Sequence, residues 1–352
     1  MDPLTLESAA LSADGRALVI LDQTLLPGEV KYLSLTETDE IVEAIRALRV
    51  RGAPAIGVAA AYGLYLAALG LETENMGDLL SSLRQVADKL NASRPTAVNL
   101  SWALARMLGA AEQNRALPVT EVKALLRREA DAIREEDIAI SRAIGQFGLG
   151  LLRPGDGILT HCNAGTLATA KYGTALAPIY AALEAGWGDL RVYCDETRPL
   201  LQGARLTAFE LQSAGVDTTL ICDNMASATM AKGKVDIVFV GCDRVCANGD
   251  FANKIGTSGV AILAKHYGIP FYVLGPTSTI DLSCPAGDDI PIELRDPEEI
   301  RSKFYAQPMA PAGVKCYNPA FDVTDHSLIT AIVTERGICR PPYSQSLAAL
   351  FQ

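Results

Sequence analysis

Apolar and polar positions follow one pattern in the first part of the chain. Residues 17–35 show two short apolar runs around a turn at 26–29, which predicts a β-hairpin. Residues 36–49 begin with Thr and acidic side chains and then carry apolar side chains at helical spacing. Further helical patterns cover residues 54–71, 77–92, 96–113 and 120–153. We therefore expect a small N-terminal domain, residues 1–145, made of a β-hairpin and a helical cluster.

The pattern changes after Pro154 and Gly155. Short apolar runs now alternate with helical segments, and the runs lie at 157–161, 191–196, 219–223, 236–243 and 270–276. Buried strands separated by helices predict an α/β domain, residues 146–352, with a doubly wound, mostly parallel sheet. No G-x-G-x-x-G or G-x-x-x-x-G-K-[ST] motif follows these runs, so we expect neither a nicotinamide or flavin cofactor nor ATP.

Composition narrows the class of protein. The 352 residues include 31 Lys+Arg and 41 Asp+Glu, a net charge of −10, and only 20% of the residues are charged. So low a charged fraction excludes a disordered interaction protein. The acidic balance and the lack of a Lys/Arg run argue against a nucleic-acid partner. A few cations can still bind an anionic small molecule.

Three further observations bear on compartment and metal binding. The first residues lack a basic and apolar leader, so we expect no secretory signal and a cytoplasmic location. The uncharged stretch 52–71 holds six large aliphatic side chains among many Ala and Gly, which favours a tightly packed buried helix over a membrane span. The eight Cys are expected to be reduced thiols, and without C-x-x-C and with only three His we expect no metal site.

Polar or reactive side chains follow four of the predicted strands. In doubly wound sheets, ligands bind outside the carboxyl ends of the strands. Those ends carry Cys162, Asp195, Asp223 and Asp243. Each residue alone is more often a cap or a turn residue. Four of them at equivalent positions predict a polar pocket.

Cys162 is the candidate base or nucleophile. It lies in the segment THCNAGT, between a predicted strand and a predicted helix. At a helix N-terminus the positive end of the helix dipole is expected to lower the pKa of the thiol. The alternative is a buried cysteine that acts as a small apolar residue. His161 is expected to point to the opposite face of the strand, which argues against a direct His161–Cys162 couple.

Asp243 is the candidate acid. It follows the apolar run 235–240, where loss of hydration would raise the pKa of its carboxyl and suit a general acid. The alternative is an ion pair with Arg244 or a cap on the next loop. A base at Cys162 and an acid at Asp243, at neighbouring strand ends, would suit proton transfer on a sugar.

Loop cations and small residues predict anion binding. An arginine and two small residues precede Pro54 at a predicted helix start, and the Gly-rich segment 248–257 ends at another. A glutamine starts the predicted helix after Asp195, where its amide could reach a hydroxyl. Isolated loop cations are otherwise ordinary surface charges. The candidates are Arg51, Gly52, Ala53, Arg94, Gln202, Asn253 and Lys254.

Seven sequence blocks carry a family resemblance. They are RGAPAIGVAAAYG (51–63), RPTAVNLSWAL (94–104), THCNAGTLAT (160–169), DETRPLLQGARLTAFEL (195–211), CDNMA (222–226), GCDRVCANGDFANKIGT (241–257) and NPAFDVT (318–324). In this order they resemble the methylthioribose-1-phosphate isomerases of methionine salvage, a branch of amino-acid biosynthesis. That family lies in the superfamily of the regulatory subunits of initiation factor 2B. The resemblance implies a Rossmann-like catalytic domain after a smaller N-terminal domain, in a homodimer.

The resemblance also implies an activity and its residues. The family converts 5-methylthioribose 1-phosphate to 5-methylthioribulose 1-phosphate without a metal or an organic cofactor. Its catalytic cysteine matches Cys162 and its proton-donor aspartate matches Asp243. Its substrate contacts match the anion-binding candidates, namely Arg51, Gly52, Ala53, Arg94, Gln202, Asn253 and Lys254. Either proton transfer through an enediol-like intermediate or a hydride shift is compatible with these residues.

Two other functions fit the same superfamily. A ribose-1,5-bisphosphate isomerase would need extra cations for a second phosphate at the far end of the sugar. A non-catalytic regulatory subunit would bind a sugar phosphate or a nucleotide without turnover. Retention of both Cys162 and Asp243 argues against the second alternative.

Overall fold

The computed structural model describes residues 6–94 and 97–352. The chain divides into two compact units. The first, here called the helical unit, comprises, of the described residues, 6–139 together with 166–173. The second, here called the sheet unit, comprises 140–165 and 174–352. The two units divide between residues 139 and 140, within one long helix. The domain boundary that the sequence predicts, between residues 145 and 146, lies in the same helix and stays a prediction.

The helical unit begins with an antiparallel sheet and continues with helices. Strands β1 (Ala9–Leu11), β2 (Leu18–Leu21) and β3 (Tyr32–Leu35) pair in that order. The helices are α1 (Thr38–Arg46), α2 (Ala53–Gly70), α3 (Met76–Asn91), α4 (Val98–Gln113) and α5 (Val119–Leu149), of which α5 continues into the sheet unit. The predicted hairpin and helical cluster are confirmed. The short strand β1 is an addition, because three residues are too few to show an alternating pattern.

Helix α2 forms the centre of the core in the helical unit. It is buried from Ala55 to Leu66 and again at Ala68. Its small residues allow close packing, since a Cβ on Gly57 would lie 3.0 Å from the Asn99 carbonyl oxygen at the start of α4. The helix is long and apolar enough to cross a membrane, but 72% of that stretch is buried inside the protein. The predicted packed core helix is therefore confirmed.

The sheet unit contains a large, mostly parallel sheet. Its strands are β4 (Gly157–His161), β5 (Arg191–Asp195), β6 (Asp217–Ile221), β7 (Ile237–Val240), β10 (Phe271–Leu274), β13 (Ala331–Thr334) and β14 (Gly337–Cys339). They lie in the order β14-β13-β10-β7-β4-β5-β6, and every pair is parallel except β13 with β14. The first strand in the chain, β4, lies inside the sheet. Strands β5 and β6 follow on one side of it, and β7, β10, β13 and β14 lie on the other side. This is the doubly wound α/β arrangement that the sequence predicts.

Helices and a second sheet complete this unit. The helices are α6 (Ala177–Glu184), α7 (Ala208–Ser213), α8 (Ala226–Ala231), α9 (Thr257–Tyr267), α10 (Glu298–Arg301) and α11 (Tyr343–Ser346). The second sheet contains β8 (Arg244–Cys246), β9 (Phe251–Lys254), β11 (Ile280–Asp281) and β12 (Phe321–Thr324), in the order β11-β8-β9-β12.

The second sheet corrects one expectation. The sequence predicts a polar loop after Asp243 that ends at a helix start with Lys254. Instead the segment forms the antiparallel strands β8 and β9, because Val245 and Phe251 are fully buried. Lys254 ends a strand, and helix α9 begins three residues later at Thr257.

Candidate active site

Cys162 and Asp243 lie at the point where the strand order of the large sheet reverses. Cys162 directly follows β4, and Asp243 follows β7 after Gly241 and Cys242. The two strands pair in parallel up to His161 and Val240. A Cβ on Gly241 would lie 2.7 Å from the Ala164 Cβ, so the loops after the two strands touch. Ligands of open α/β sheets bind in the crevice at such a reversal point.

The backbone at Cys162 differs from the prediction. The sequence predicts a helix directly after this residue, but the next α-helix, α6, begins only at Ala177. The predicted helix start directly after Cys162 is therefore wrong. Cys162 has a left-handed backbone with φ of 67°. Its N–H donates to Thr197 Oγ1 at 2.8 Å, and its carbonyl accepts from Thr207 Oγ1 at 2.7 Å.

His161 and Asp195 form a buried pair next to Cys162. His161 Nδ1 lies 3.0 Å from Asp195 Oδ2, and His161 Nε2 lies 2.8 Å from the Ile255 carbonyl oxygen. Burial favours the neutral imidazole, but the hydrogen bond and the charge of Asp195 outweigh it and raise the pKa of His161. Both ring nitrogens have partners other than Cys162. The pair ties the ends of β4 and β5 to the residue that follows Lys254.

The Asp223 carboxylate accepts hydrogen bonds from the backbone of the loop after β5. Its Oδ1 accepts from the Thr197 N–H at 2.7 Å, and its Oδ2 accepts from the Arg198 N–H at 2.8 Å. Of the four residues predicted to line a polar pocket, Asp195 and Asp223 thus bond to other parts of the protein. Cys162 and Asp243 are the two that follow the adjacent strands of the reversal point.

Asp243 is exposed, although the sequence predicts a carboxylate that has lost hydration. Its N–H donates to the Ala252 carbonyl oxygen at 2.9 Å, which ties its backbone to strand β9. Arg244, the partner that the sequence suggests as an alternative, contacts Asp281 with 3.3 Å between Nη1 and Oδ2. Burial by the chain itself therefore does not desolvate the Asp243 carboxyl. A bound ligand that covers it would do so.

Three further predicted residues lie in the sheet unit. Gln202 is buried just before a π-helical turn, and its Oε1 has no hydrogen-bond partner within residues 6–94 and 97–352. Asn253 is buried and donates from Nδ2 to Thr257 Oγ1 at 3.0 Å. Lys254 Nζ donates to the Ala320 carbonyl oxygen at 3.0 Å. Strand β9 thus carries Asn253 and Lys254 beside Asp243.

The other four predicted residues lie in the helical unit. Arg51, Gly52 and Ala53 form the start of helix α2, with Gly52 as its N-cap residue. Arg94 lies between α3 and α4 and is half-buried. Gly52 has φ of 93°, and a Cβ there would lie 2.3 Å from the Ala168 carbonyl oxygen. The start of α2 therefore requires glycine at this position.

Replacing Gly52 with Ala is expected to lower the free energy of unfolding by about 2 kcal/mol or more, because a side chain is strained at positive φ and the neighbouring backbone must move. Thermal or denaturant unfolding measures the change. Gly70→Ala in the same helix is the control, since nothing lies within 4 Å of a Cβ at that position. Equal stability of the two variants would contradict the expected strain.

Several residues that bond to the backbone of the candidate site are not predicted from the sequence. Thr197 and Thr207 hold the backbone of Cys162. Asp322 on β12 accepts from the Gly256 N–H at 2.8 Å and from the Ser258 N–H at 3.2 Å, which fixes the start of α9. All three belong to the blocks 195–211 and 318–324, but threonines and aspartates there give no local signal of their partners.

Comparison with known proteins identifies the family. Residues 49–341 match the initiation factor 2 subunit family. A methylthioribose-1-phosphate isomerase of Symbiobacterium thermophilum is 65% identical over 99% of this chain and 97% of its own length. A 5-deoxyribose 1-phosphate isomerase of Petrotoga mobilis is 59% identical over 95% of this chain and 96% of its own. The crystal structure of 5-methylthioribose 1-phosphate isomerase from Pyrococcus horikoshii matches with a TM-score of 0.93 and 42% identity, covering 99% of this chain and 97% of that one.

These matches define the class of the protein. The chain belongs to the initiation factor 2 subunit family. Within that family it is an enzyme, as are the relatives at 55–65% identity that are named as sugar-phosphate isomerases. The family resemblance that the sequence blocks carry is confirmed.

Proposed function

We propose that this chain is an aldose–ketose isomerase that converts 5-methylthioribose 1-phosphate to 5-methylthioribulose 1-phosphate in methionine salvage. The observation that carries the proposal is the pairing of β4 with β7, whose carboxyl ends lead into Cys162 and Asp243. The names of the relatives in Symbiobacterium thermophilum and Parabacteroides distasonis, 65% and 63% identical, support the same substrate.

The proposed chemistry starts from the phosphate on the anomeric oxygen, which blocks the free aldehyde that such isomerases normally use. Asp243 donates a proton to the ring oxygen and assists ring opening. Cys162 then takes the proton from C2 and returns it to C1 through an enediol-like intermediate, and the proton that the 2-hydroxyl loses as it becomes the ketone restores the acid form of Asp243. In the competing route a hydride moves directly from C2 to C1, and Cys162 stabilises the transition state. Exclusion of water strengthens the electrostatic interactions in either route.

Substrate binding uses the remaining predicted residues. Gln202 accepts a hydrogen bond from a sugar hydroxyl, which is supported by its buried oxygen without a partner among the described residues. Asn253 and Lys254, on the strand tied to Asp243, bind the sugar phosphate from the sheet unit. We also propose substrate contacts at Arg51, Gly52, Ala53 and Arg94, as the family resemblance implies. Arginine and lysine suit phosphate by charge, and a backbone N–H in the first turn of α2, which has no acceptor within the helix, would add to it.

The proposal includes a cellular setting. We expect a cytoplasmic homodimer with a Rossmann-like catalytic domain, whose partner is the small-molecule substrate and not nucleic acid or a membrane. The net charge of −10 supports the lack of a nucleic-acid partner. Proton transfer between Cys162, Asp243 and the sugar needs neither a metal nor an organic cofactor.

A second substrate is supported by a specific observation. Relatives in Petrotoga mobilis and Bacillus anthracis, 59% and 55% identical, are named 5-deoxyribose 1-phosphate isomerases. That sugar lacks only the methylthio group, so the reacting carbons are unchanged. We propose that this chain converts it as well.

Product analysis tests the proposal. The purified protein is incubated under reducing conditions with methylthioribose 1-phosphate, 5-deoxyribose 1-phosphate and ribose 1,5-bisphosphate in parallel. We expect ketose from the first two substrates. Absence of ketose from methylthioribose 1-phosphate would overturn the proposal, and turnover of ribose 1,5-bisphosphate alone would establish the other isomerase activity. Deuterium at C1 from labelled water would support proton transfer.

A further inference from the structure

We propose that Thr197 is a positioning residue of this site, whose hydroxyl fixes the backbone of Cys162 and thereby the direction of its thiol. The inference rests on the proposed function, because it takes Cys162 as the reacting group. Thr197 lies in the loop after β5, whereas Cys162 follows the neighbouring strand β4. The hydroxyl therefore joins the ends of two adjacent strands.

The backbone of Cys162 requires such a restraint. Its φ of 67° lies in the left-handed region, which few residues other than glycine adopt. Strained conformations of this kind persist only where the surrounding structure holds them, and they concentrate at functional sites. At Cys162 the N–H and the carbonyl oxygen both bond to threonine hydroxyls, from Thr197 at 2.8 Å and Thr207 at 2.7 Å.

The direction of these hydrogen bonds is determined. The Thr197 hydroxyl donates its single proton to the Asp195 carbonyl oxygen at 3.0 Å. Its oxygen is then the acceptor for the Cys162 N–H. Thr197 is fully buried, so water does not compete for the hydroxyl. One side chain thus links the carboxyl ends of β4 and β5.

Thr197 is itself held in a strained conformation. Its φ is 63°, which for a β-branched residue is a true outlier. Asp223, at the end of β6, accepts from the N–H groups of both Thr197 and Arg198, at 2.7 and 2.8 Å. The restraint therefore runs from β6 through Asp223 and Thr197 to Cys162 on β4. Thr197 and Cys162 both have a strained backbone, and they are joined by a hydrogen bond. We therefore infer that these contacts serve to place Cys162.

Removal of the hydroxyl separates positioning from folding. Thr197→Val keeps the shape of the side chain but leaves the Cys162 N–H without its acceptor. Thr197→Ser keeps the hydroxyl. Thr334→Val on β13 is the matched control, since Thr334 is also fully buried and its hydroxyl also donates to a carbonyl oxygen, that of Gly337 at 3.2 Å.

We expect Thr197→Val to lower kcat by about 10- to 100-fold with KM changed by less than about threefold, because misplacement affects the reacting group more than substrate binding. Thr197→Ser should recover most of kcat. The rate at which iodoacetamide alkylates Cys162, followed by peptide mass spectrometry across pH, should shift in Thr197→Val. It should not shift in Thr197→Ser or Thr334→Val.

Three outcomes would overturn the inference. The first is a wild-type alkylation profile and kcat in folded Thr197→Val. The second is a loss of kcat in Thr334→Val as large as in Thr197→Val, which would indicate general destabilisation. The third outcome applies only if Thr197→Val does not fold, and it uses Thr207→Val, which removes the other hydroxyl bonded to Cys162. An unchanged alkylation profile in folded Thr207→Val would then overturn the inference. The alkylation profile needs no substrate, so it tests the positioning even if methylthioribose 1-phosphate is not converted.

Discussion

Cys162→Ala is expected to lower kcat at least about 100-fold while the fold stays intact, because the variant loses the group that moves the proton or stabilises the transition state. Steady-state kinetics with methylthioribose 1-phosphate measures the effect. Near- and far-ultraviolet circular dichroism checks the fold. KM should change much less than kcat, since the substrate is held by other side chains.

Cys316→Ala is the matched control for this experiment. Cys316 is likewise a partly exposed cysteine outside any disulfide, but it lies between α10 and β12, away from the carboxyl ends of β4 and β7. The control should retain wild-type kinetics. A Cys162→Ala enzyme as fast as the control would remove this residue from the mechanism.

Asp243→Asn should also lower kcat at least about 100-fold, because an amide has the shape of the carboxyl but cannot donate a proton to a leaving ring oxygen. A general acid works in its protonated form, so the wild-type rate should fall as pH rises through the pKa of Asp243 in the enzyme–substrate complex. That basic limb should be absent from the residual activity of the variant. A pH–rate profile for both enzymes makes the comparison.

Asp217→Asn is the matched control for the aspartate. Asp217 is exposed like Asp243, but it begins strand β6 and so lies at the amino ends of the parallel strands. Its replacement should leave kcat and the pH profile unchanged. Loss of activity in both variants to the same degree would point to net charge and not to acid catalysis.

The sequence predicts five of the seven strands described in the large sheet, and misses β13 and β14, because buried parallel strands in the middle of the sheet leave the clearest local signal. The run 237–240, for example, is apolar throughout and lies between helical patterns. The carboxyl end of each run follows directly, so Cys162 and Asp243 could be predicted as site candidates. The strand order cannot be read from such runs, and only the order shows that β4 and β7 are adjacent.

The segment after Cys162 was predicted incorrectly because distant contacts determine its conformation. Within the helical unit, Gln23 Nε2 donates to the Leu167 carbonyl oxygen at 2.7 Å, and the Ala170 N–H donates to Asp137 Oδ2 at 2.6 Å. These bonds hold backbone groups that an α-helix would pair internally. The partners lie more than 30 residues away in sequence, so the local pattern does not reveal them.

Strands β8 and β9 were missed for a related reason. They surround the turn Asn248-Gly249-Asp250, whose polar residues dominate the local composition. Their side chains Val245 and Phe251 are buried in a cluster with residues of the large sheet, such as Phe271 of β10, that are separate from them in the sequence. Burial against distant strands is a property of the fold and leaves no period in so short a segment.

The position of β13 in the large sheet affects how the chain is made. A ribosome releases about 5–20 residues per second, and N-terminal segments fold first. Strand β10 ends at Leu274 and pairs with β13, which begins only at Ala331. Until that point is synthesised, one edge of β10 exposes unpaired N–H and C=O groups, the kind of edge that other nascent chains can join. The sheet that carries Cys162 and Asp243 therefore reaches its final strand order only after β13 has been synthesised, well after β4 and β7.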